Sequence, residues 1–162
     1  MTLKKLLIKK SGFTLIELLV VIGILAVLLA IVLIAINPAR QFAQANDTQR
    51  RSDVNAILNA IDQAMVDKSG TLPTPLNTAP TGAALTFDSA TVTTGSTLCN
   101  NLVPTYMAQL PKDPQTGTWT DCSNFATGYT ITVASSSGGQ TPRVTVSAPG
   151  AQLAVSGITV TR

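Results

Sequence analysis

The chain has no histidine, only two cysteines and few aromatic residues for its 162 positions. Without histidine, Ser-His-Asp and Cys-His catalysis are excluded, and so is the commonest metal ligand. Two cysteines cannot close a zinc shell. Charge is sparse too: 11 basic and 8 acidic side chains, with Lys4, Lys5, Lys9 and Lys10 crowded into the first twelve positions. Without that stretch, seven basic residues face eight acidic ones, so the broad basic surface that nucleic acids require is missing. These absences predict a chain that is no enzyme, needs no cofactor and has no nucleic-acid partner.

What the sequence does have is one long apolar run. Leu18–Ile36 contains no charged residue and a single glycine, Gly23. As a helix it would span roughly 28 Å, close to the ~30 Å hydrocarbon core of a bilayer. Ahead of it stand the lysine cluster, Gly12-Phe13, and Glu17, a carboxylate just inside the edge that needs a partner or a route to the headgroups. A secretory signal peptide has a shorter apolar middle, lacks such an acid, and ends in a small-residue cleavage site. Ala35-Ile36-Asn37-Pro38 is a poor one. An uncleaved signal anchor is the other competing reading. The leader lysines outnumber Arg40, Arg50 and Arg51 beyond the run, so the positive-inside rule puts the N-terminus in the cytoplasm and the remainder outside.

The stretch Lys9-Lys10-Ser11-Gly12-Phe13-Thr14-Leu15-Ile16-Glu17-Leu18-Leu19 resembles the prepilin leader of type IV pilins and type II secretion pseudopilins. That resemblance implies a cut between Gly12 and Phe13 by a separate prepilin peptidase, followed by methylation of the Phe13 amine. It also implies that Glu17 pairs with this amine, often on a neighbouring subunit, during assembly. The physics agrees, since opposite charges in low dielectric attract strongly and a lone one is costly. Glu17 snorkelling to the headgroups is the bland alternative. Further implied partners are an assembly ATPase, a platform protein, the membrane, and other copies of the chain in a helical filament.

The resemblance divides the chain into a leader (1–12), a transmembrane and filament-core helix (13–36), a continuation of that helix (37–68) and a globular head (69–162). Pro38 bends one long helix or, with Asn37 as cap, opens a second; the bend is the favoured reading. Gln44–Asp53 is polar all round apart from Ala45, so packing supports it poorly; the resemblance implies a segment near this point that melts in assembled filaments, which makes it the place to look for extension. Val54, Ile57, Leu58, Ile61 and Met65 then form an apolar stripe, opposite Ser52, Asn55, Asn59 and Asp62. Lys68-Ser69-Gly70 ends the helix.

Thr71–Thr97, with Pro73, Pro75 and Pro80, reads as an extended loop holding one short strand near Ala84–Phe87. A short helix is expected from about Val103 to Gln109. Tyr129, Ile131 and Val133 alternate as a strand, as do Val144 and Val146, then Leu153, Val155, Ile158 and Val160. Ser135–Gln140 and Pro149-Gly150 read as connections. The expected fold is α+β and pilin-like: a long N-terminal helix packed on a small antiparallel sheet of three or four strands.

Leu110-Pro111-Lys112-Asp113-Pro114 resembles a turn of many pseudopilins and related pilins, with Asp113 bracing it through nearby amides. Some pseudopilins bind calcium in the following loop; here Asp113, Asp121 and Asn124 supply too few carboxylates, and a plain turn is the expected outcome. Cys99 and Cys122 would be oxidised outside the membrane, and an even count suits one disulfide, with two free thiols as the alternative. A stapled loop also resembles many pilins. The leading functional reading is a structural subunit of a type IV pilus or type IV-like filament. A type II secretion pseudopilin and a minor pilin of a DNA-uptake or adhesion system are the alternatives, and an anchored enzyme ranks last. The implied location is the bacterial inner membrane, single-pass, and then an extracellular or periplasmic filament.

Overall fold

A computed structural model describes residues 12–89, 95–134, 142–154 and 156–162. Contacts divide the chain into two compact units, Met1–Gln41 and Phe42–Arg162. In the first, α1 spans Leu15–Ile36, and none of its residues is buried. It is apolar and long enough to cross a membrane, about 33 Å at helical rise. Thr14 caps it. At its far end Asn37 adopts a left-handed conformation, φ 41°, which ends the helix as asparagine tolerates better than most residues.

α2 then opens on Pro38 and runs to Asp67. The expected bend within one continuous helix is therefore corrected to a break. Proline at the first position lacks only an N–H that would have no partner there anyway, and the Asn37 side chain accepts from the Arg40 amide at 3.4 Å.

In the second unit, α2 contributes the apolar side of the core. Val54, Ile57, Leu58, Ile61 and Ala64 are fully enclosed, with Ala60 close behind. The stripe ends on Ala64; Met65 only flanks it. It joins one hydrophobic cluster with Tyr129, Ile131, Val144 and Val146 from the sheet. Burying side chains of this size stabilises by roughly 1.5–3 kcal/mol each relative to exposure.

Among the described residues the sheet has five strands: β1 (Ala84–Asp88), β2 (Thr118–Asp121), β3 (Asn124–Ala134), β4 (Arg143–Ala148) and β5 (Ile158–Thr161). Every pairing is antiparallel, in the order β1-β3-β4-β5, with β2 also on β3. Ala126 faces Asp88 on one edge and Thr118 on the other. Thr130–Thr132 lies between β1 and β4. So β2 and β4 lie end to end along the same edge of β3.

The α+β expectation holds, with more strands than expected. Strand β2 has one apolar residue in four and gives no alternating signal. Leu153 is half exposed in a bend rather than in a strand. The expected connection at Ser135–Gln140, Val155 and most of the leader lie outside the described residues.

The expected helix over Val103–Gln109 is also corrected. α3 occupies Gly95–Leu102, because Val103 precedes Pro104 and a residue in that position is driven out of helical geometry. Cys99 in α3 and Cys122 in the β2–β3 turn form a disulfide, with Cα atoms 5.5 Å apart.

Candidate functional site

At the start of α1 the residues singled out by sequence, Gly12, Phe13 and Glu17, lie within six positions. The Glu17 carboxylate accepts from the Thr14 amide and the Thr14 hydroxyl, each at 2.8 Å. The Glu17 amide donates back to the Thr14 hydroxyl at 3.3 Å. This is a capping box, which satisfies two otherwise orphaned backbone donors reciprocally. Glu17 is thus tied to Thr14, the residue after Phe13, and Gly12 and Phe13 are exposed. From Leu15 onwards every α1 side chain faces outward. A carboxylate heads a helix whose whole surface is apolar and uncovered.

A second polar centre lies in the other unit. Arg50 is fully buried. Its Nε donates to Asp113 Oδ2 at 2.6 Å and its Nη2 to Asp113 Oδ1 at 3.1 Å, a bidentate fork. Nη1 reaches Asp47 at 2.9 Å, and Nη2 also reaches the Gln115 side chain at 3.0 Å. Such paired geometry is the strongest guanidinium–carboxylate arrangement. Asp47 in turn accepts from the amides of Gln152 and Leu153, at 2.9 and 2.8 Å. Arg50 thus joins α2 to the 110–116 turn, and Asp47 joins α2 to the Gln152–Leu153 backbone.

The turn itself fills the interval between β2 and β4. The Asp113 amide donates to the Thr127 carbonyl at 2.7 Å, and its Oδ1 accepts from the amides of Gln115 and Thr116, the bracing expected from sequence. Two glycines make room. Gly128 has φ +79°, and a Cβ there would lie 2.8 Å from Asp113 Cβ. A Cβ on Gly150 would lie 3.2 Å from Asp113 Oδ2.

Burial alone would push the Asp113 carboxyl up, but Arg50 and the two turn amides outweigh it and hold it at about 2. Asp47 behaves likewise: burial raises it, while the Gln152 and Leu153 amides and Arg50 bring it below its ordinary value. Arg50 is held further into its charged form, first by Asp113. Asp53 moves the other way, raised by burial, although the Tyr129 hydroxyl donates to it at 2.7 Å.

The Asp113 carboxylate is thus engaged by Arg50, whereas Asp121 bonds its own turn at Ser123 and Asn124. Among the described residues no three acidic or thiol side chains converge on a point that could hold a metal. Sequence reasoning placed Asp113 in its turn but missed Arg50 and Asp47, which it read as part of a polar, poorly supported helix. That reading is corrected: the segment is anchored by buried charge. Only the Asp113 turn motif hinted that something had to meet it.

No curated protein and no solved structure matches the chain. The methylation motif and the one apolar N-terminal helix fit an inner-membrane-anchored subunit. Residues 7–33 match the family model of the prokaryotic N-terminal methylation motif, the signature that type IV pilins and pseudopilins share.

Proposed function

We propose that this chain is the precursor of a filament subunit of the type IV pilus kind. The supporting observation is the combination of the methylation motif at 7–33 with an uncovered apolar helix headed by a tethered carboxylate. A prepilin peptidase cuts after Gly12 and methylates Phe13, removing the leader 1–12. Positions 13–36 anchor the subunit in the inner membrane, N-terminus inward, and later form the filament core. Positions 37–68 carry the chain into the head, 69–162. Glu17, already positioned by Thr14, pairs with the freed Phe13 amine as copies assemble, driven by an ATPase and a platform protein. A carboxylate and an ammonium that meet in hydrocarbon neutralise each other, which favours association over dispersal.

The Leu110–Pro114 turn favours a second reading, a type II secretion pseudopilin in a periplasmic filament. The Cys99–Cys122 bridge and the threonine-rich stretch after α2 favour the surface pilus. The deciding test is mass spectrometry of the N-terminus of sheared surface material and of membranes. A methylated Phe13 at the head of an abundant surface polymer supports the pilus. The same terminus confined to membrane and periplasm supports the pseudopilin. An intact Met1 overturns both.

A further inference from the structure

Beside the Arg50 centre, α2, the 109–112 segment and β2 border a cavity of about 430 Å³. Its size falls in the range of small-molecule sites, roughly 300–1,000 Å³. Gln49 and Asp53 line it from α2, four positions apart and so on one helix face. Gln109 and Lys112 line it from the neighbouring segment, with the buried Leu110 between them in sequence, and Trp119 lines it from β2. The walls are braced from behind. Arg50, next to Gln49, is bonded at 2.6 Å to Asp113, next to Lys112. Trp119 rests on Phe125, with ring centres 5.7 Å apart, and the Tyr129 hydroxyl holds Asp53 at 2.7 Å. A site fixed in this way loses little freedom when a ligand enters.

The chemistry of the lining selects the ligand. Two side-chain amides each offer donors and an acceptor. The partly buried Asp53 carboxylate takes a bond from Tyr129 at one oxygen, whereas a carboxylate has room for about four; it has capacity left for hydroxyl donors. Lys112 offsets its charge, so the lining carries no net formal charge. A cation would want an uncompensated negative wall beside the indole, and an anion would want an uncompensated positive one. The face of an indole is apolar and electron-rich, which suits C–H groups made slightly positive by neighbouring oxygens. An aromatic surface beside mixed donors and acceptors therefore fits a neutral ring with an apolar face and hydroxyls at its rim. We propose that this cavity binds a neutral pyranose sugar, with Trp119 against the C–H face of the ring and Gln49, Asp53 and Gln109 on its hydroxyls. Such binding is a property of the head and needs no filament.

Trp119 is the one tryptophan of the chain, so its emission reports directly on this cavity. The test is fluorescence titration of the full chain, in micelles of a detergent without a sugar headgroup, with galactose, mannose and N-acetylglucosamine, and with tetramethylammonium as the cationic comparison. A saturable change with at least one of the sugars is expected. Gln49→Ala and Gln109→Ala should each weaken that binding about fivefold or more, the worth of one hydrogen bond. Both glutamines are exposed, so the variants should keep the wild-type circular dichroism and melting temperature. No saturable change with any of the three sugars at concentrations up to tens of millimolar overturns the proposal. So does sugar binding that neither glutamine variant weakens, which would place the sugar elsewhere, and so does saturation by tetramethylammonium alone. The monomer in micelles suffices, so failure of the sugar site and failure of the filament reading remain distinguishable.

Discussion

Arg50 and Asp113 are 63 positions apart in the chain and meet in a bidentate pair whose two side chains are each about 1 % exposed. A pair this deep has repaid its desolvation only because both partners are present. Removing one leaves the other charged and dry. Arg50→Met should therefore lower unfolding stability by about 3 kcal/mol or more. The double variant Arg50→Met with Asp113→Leu should lose less than the two single losses combined. Urea unfolding of the full chain in detergent, followed by circular dichroism, measures both; additive losses would mean that the pair is not coupled.

Acid should weaken the head in a defined window. Asp113 is held at about 2 in the fold against an ordinary 3.8. Its folded value is the lower, so its contribution is present in full above 3.8 and is lost as the pH falls towards 2. The difference corresponds to about 2 kcal/mol. Asp47 acts in the same sense. Asp53 acts in the opposite sense: its raised value favours protonation in the fold, so acidification relieves a penalty. The melting temperature should fall between about pH 5 and pH 2, less steeply in Asp113→Asn and more steeply in Asp53→Asn. Parallel profiles for all three proteins would contradict the assignment.

Gly128 tests the space around the pair. Its φ of +79° suits glycine, and an added Cβ would press on the Asp113 Cβ at 2.8 Å. Backbone strain of this kind costs on the order of 1–3 kcal/mol, and here displacement of the Asp113 turn adds to it. Gly128→Ala should destabilise by about 2 kcal/mol or more, and Gly150→Ala, with a contact of 3.2 Å, by less. Thermal unfolding ranks the two; the reverse order would show that the turn gives way more easily than the backbone.

These buried polar relationships explain what could be read from the sequence and what could not. The stripe Val54, Ile57, Leu58, Ile61 announces itself because a helix repeats every 3.6 residues. Tyr129, Ile131 and Val133 do so because a strand repeats every two. Arg50 sits in a run that looks like solvated surface, and its partner is distant in sequence, so no local period betrays it. Strand β2 is short and mostly polar, visible only through its pairing with β3. Leu98, Leu102 and Tyr106 share a helical spacing, but Pro104 cuts it, and the helix falls before the break instead of across it. At the N-terminus all the signal is local: Gly12, Phe13, Thr14 and Glu17 fall within six residues, and the capping box needs nothing else.

The Cys99–Cys122 bridge ties α3 to the β2–β3 turn. Closing a loop of this length restricts the unfolded chain by roughly 3 kcal/mol in the chain-entropy model. The variant with both cysteines changed to alanine should unfold at correspondingly lower urea, with Arg50 and the α2 stripe still in place. Exchange rates over 44–53, scaled to the lower global stability, should match wild type. A selective loss of protection there would show that the bridge supports the Arg50 centre as well as α3.

Glu17 separates membrane insertion from assembly. Replacing it with alanine removes the only charge from Leu15–Ile36, so insertion should be unimpaired and somewhat more favourable. It also removes the acceptor for Thr14, a capping loss of about 1 kcal/mol that a 22-residue apolar helix in lipid tolerates. If the carboxylate serves only as a cap, Glu17→Gln, which can still accept from the Thr14 amide, should behave as wild type. If it serves as the counter-charge to a freed Phe13 amine, Glu17→Gln should fail as badly as Glu17→Ala. The pairing role predicts the second outcome: both variants found in the membrane in wild-type amounts, and polymer in sheared fractions reduced at least tenfold. Quantitative immunoblotting of membrane and sheared fractions decides it. Normal polymer from Glu17→Gln would reduce Glu17 to a helix cap.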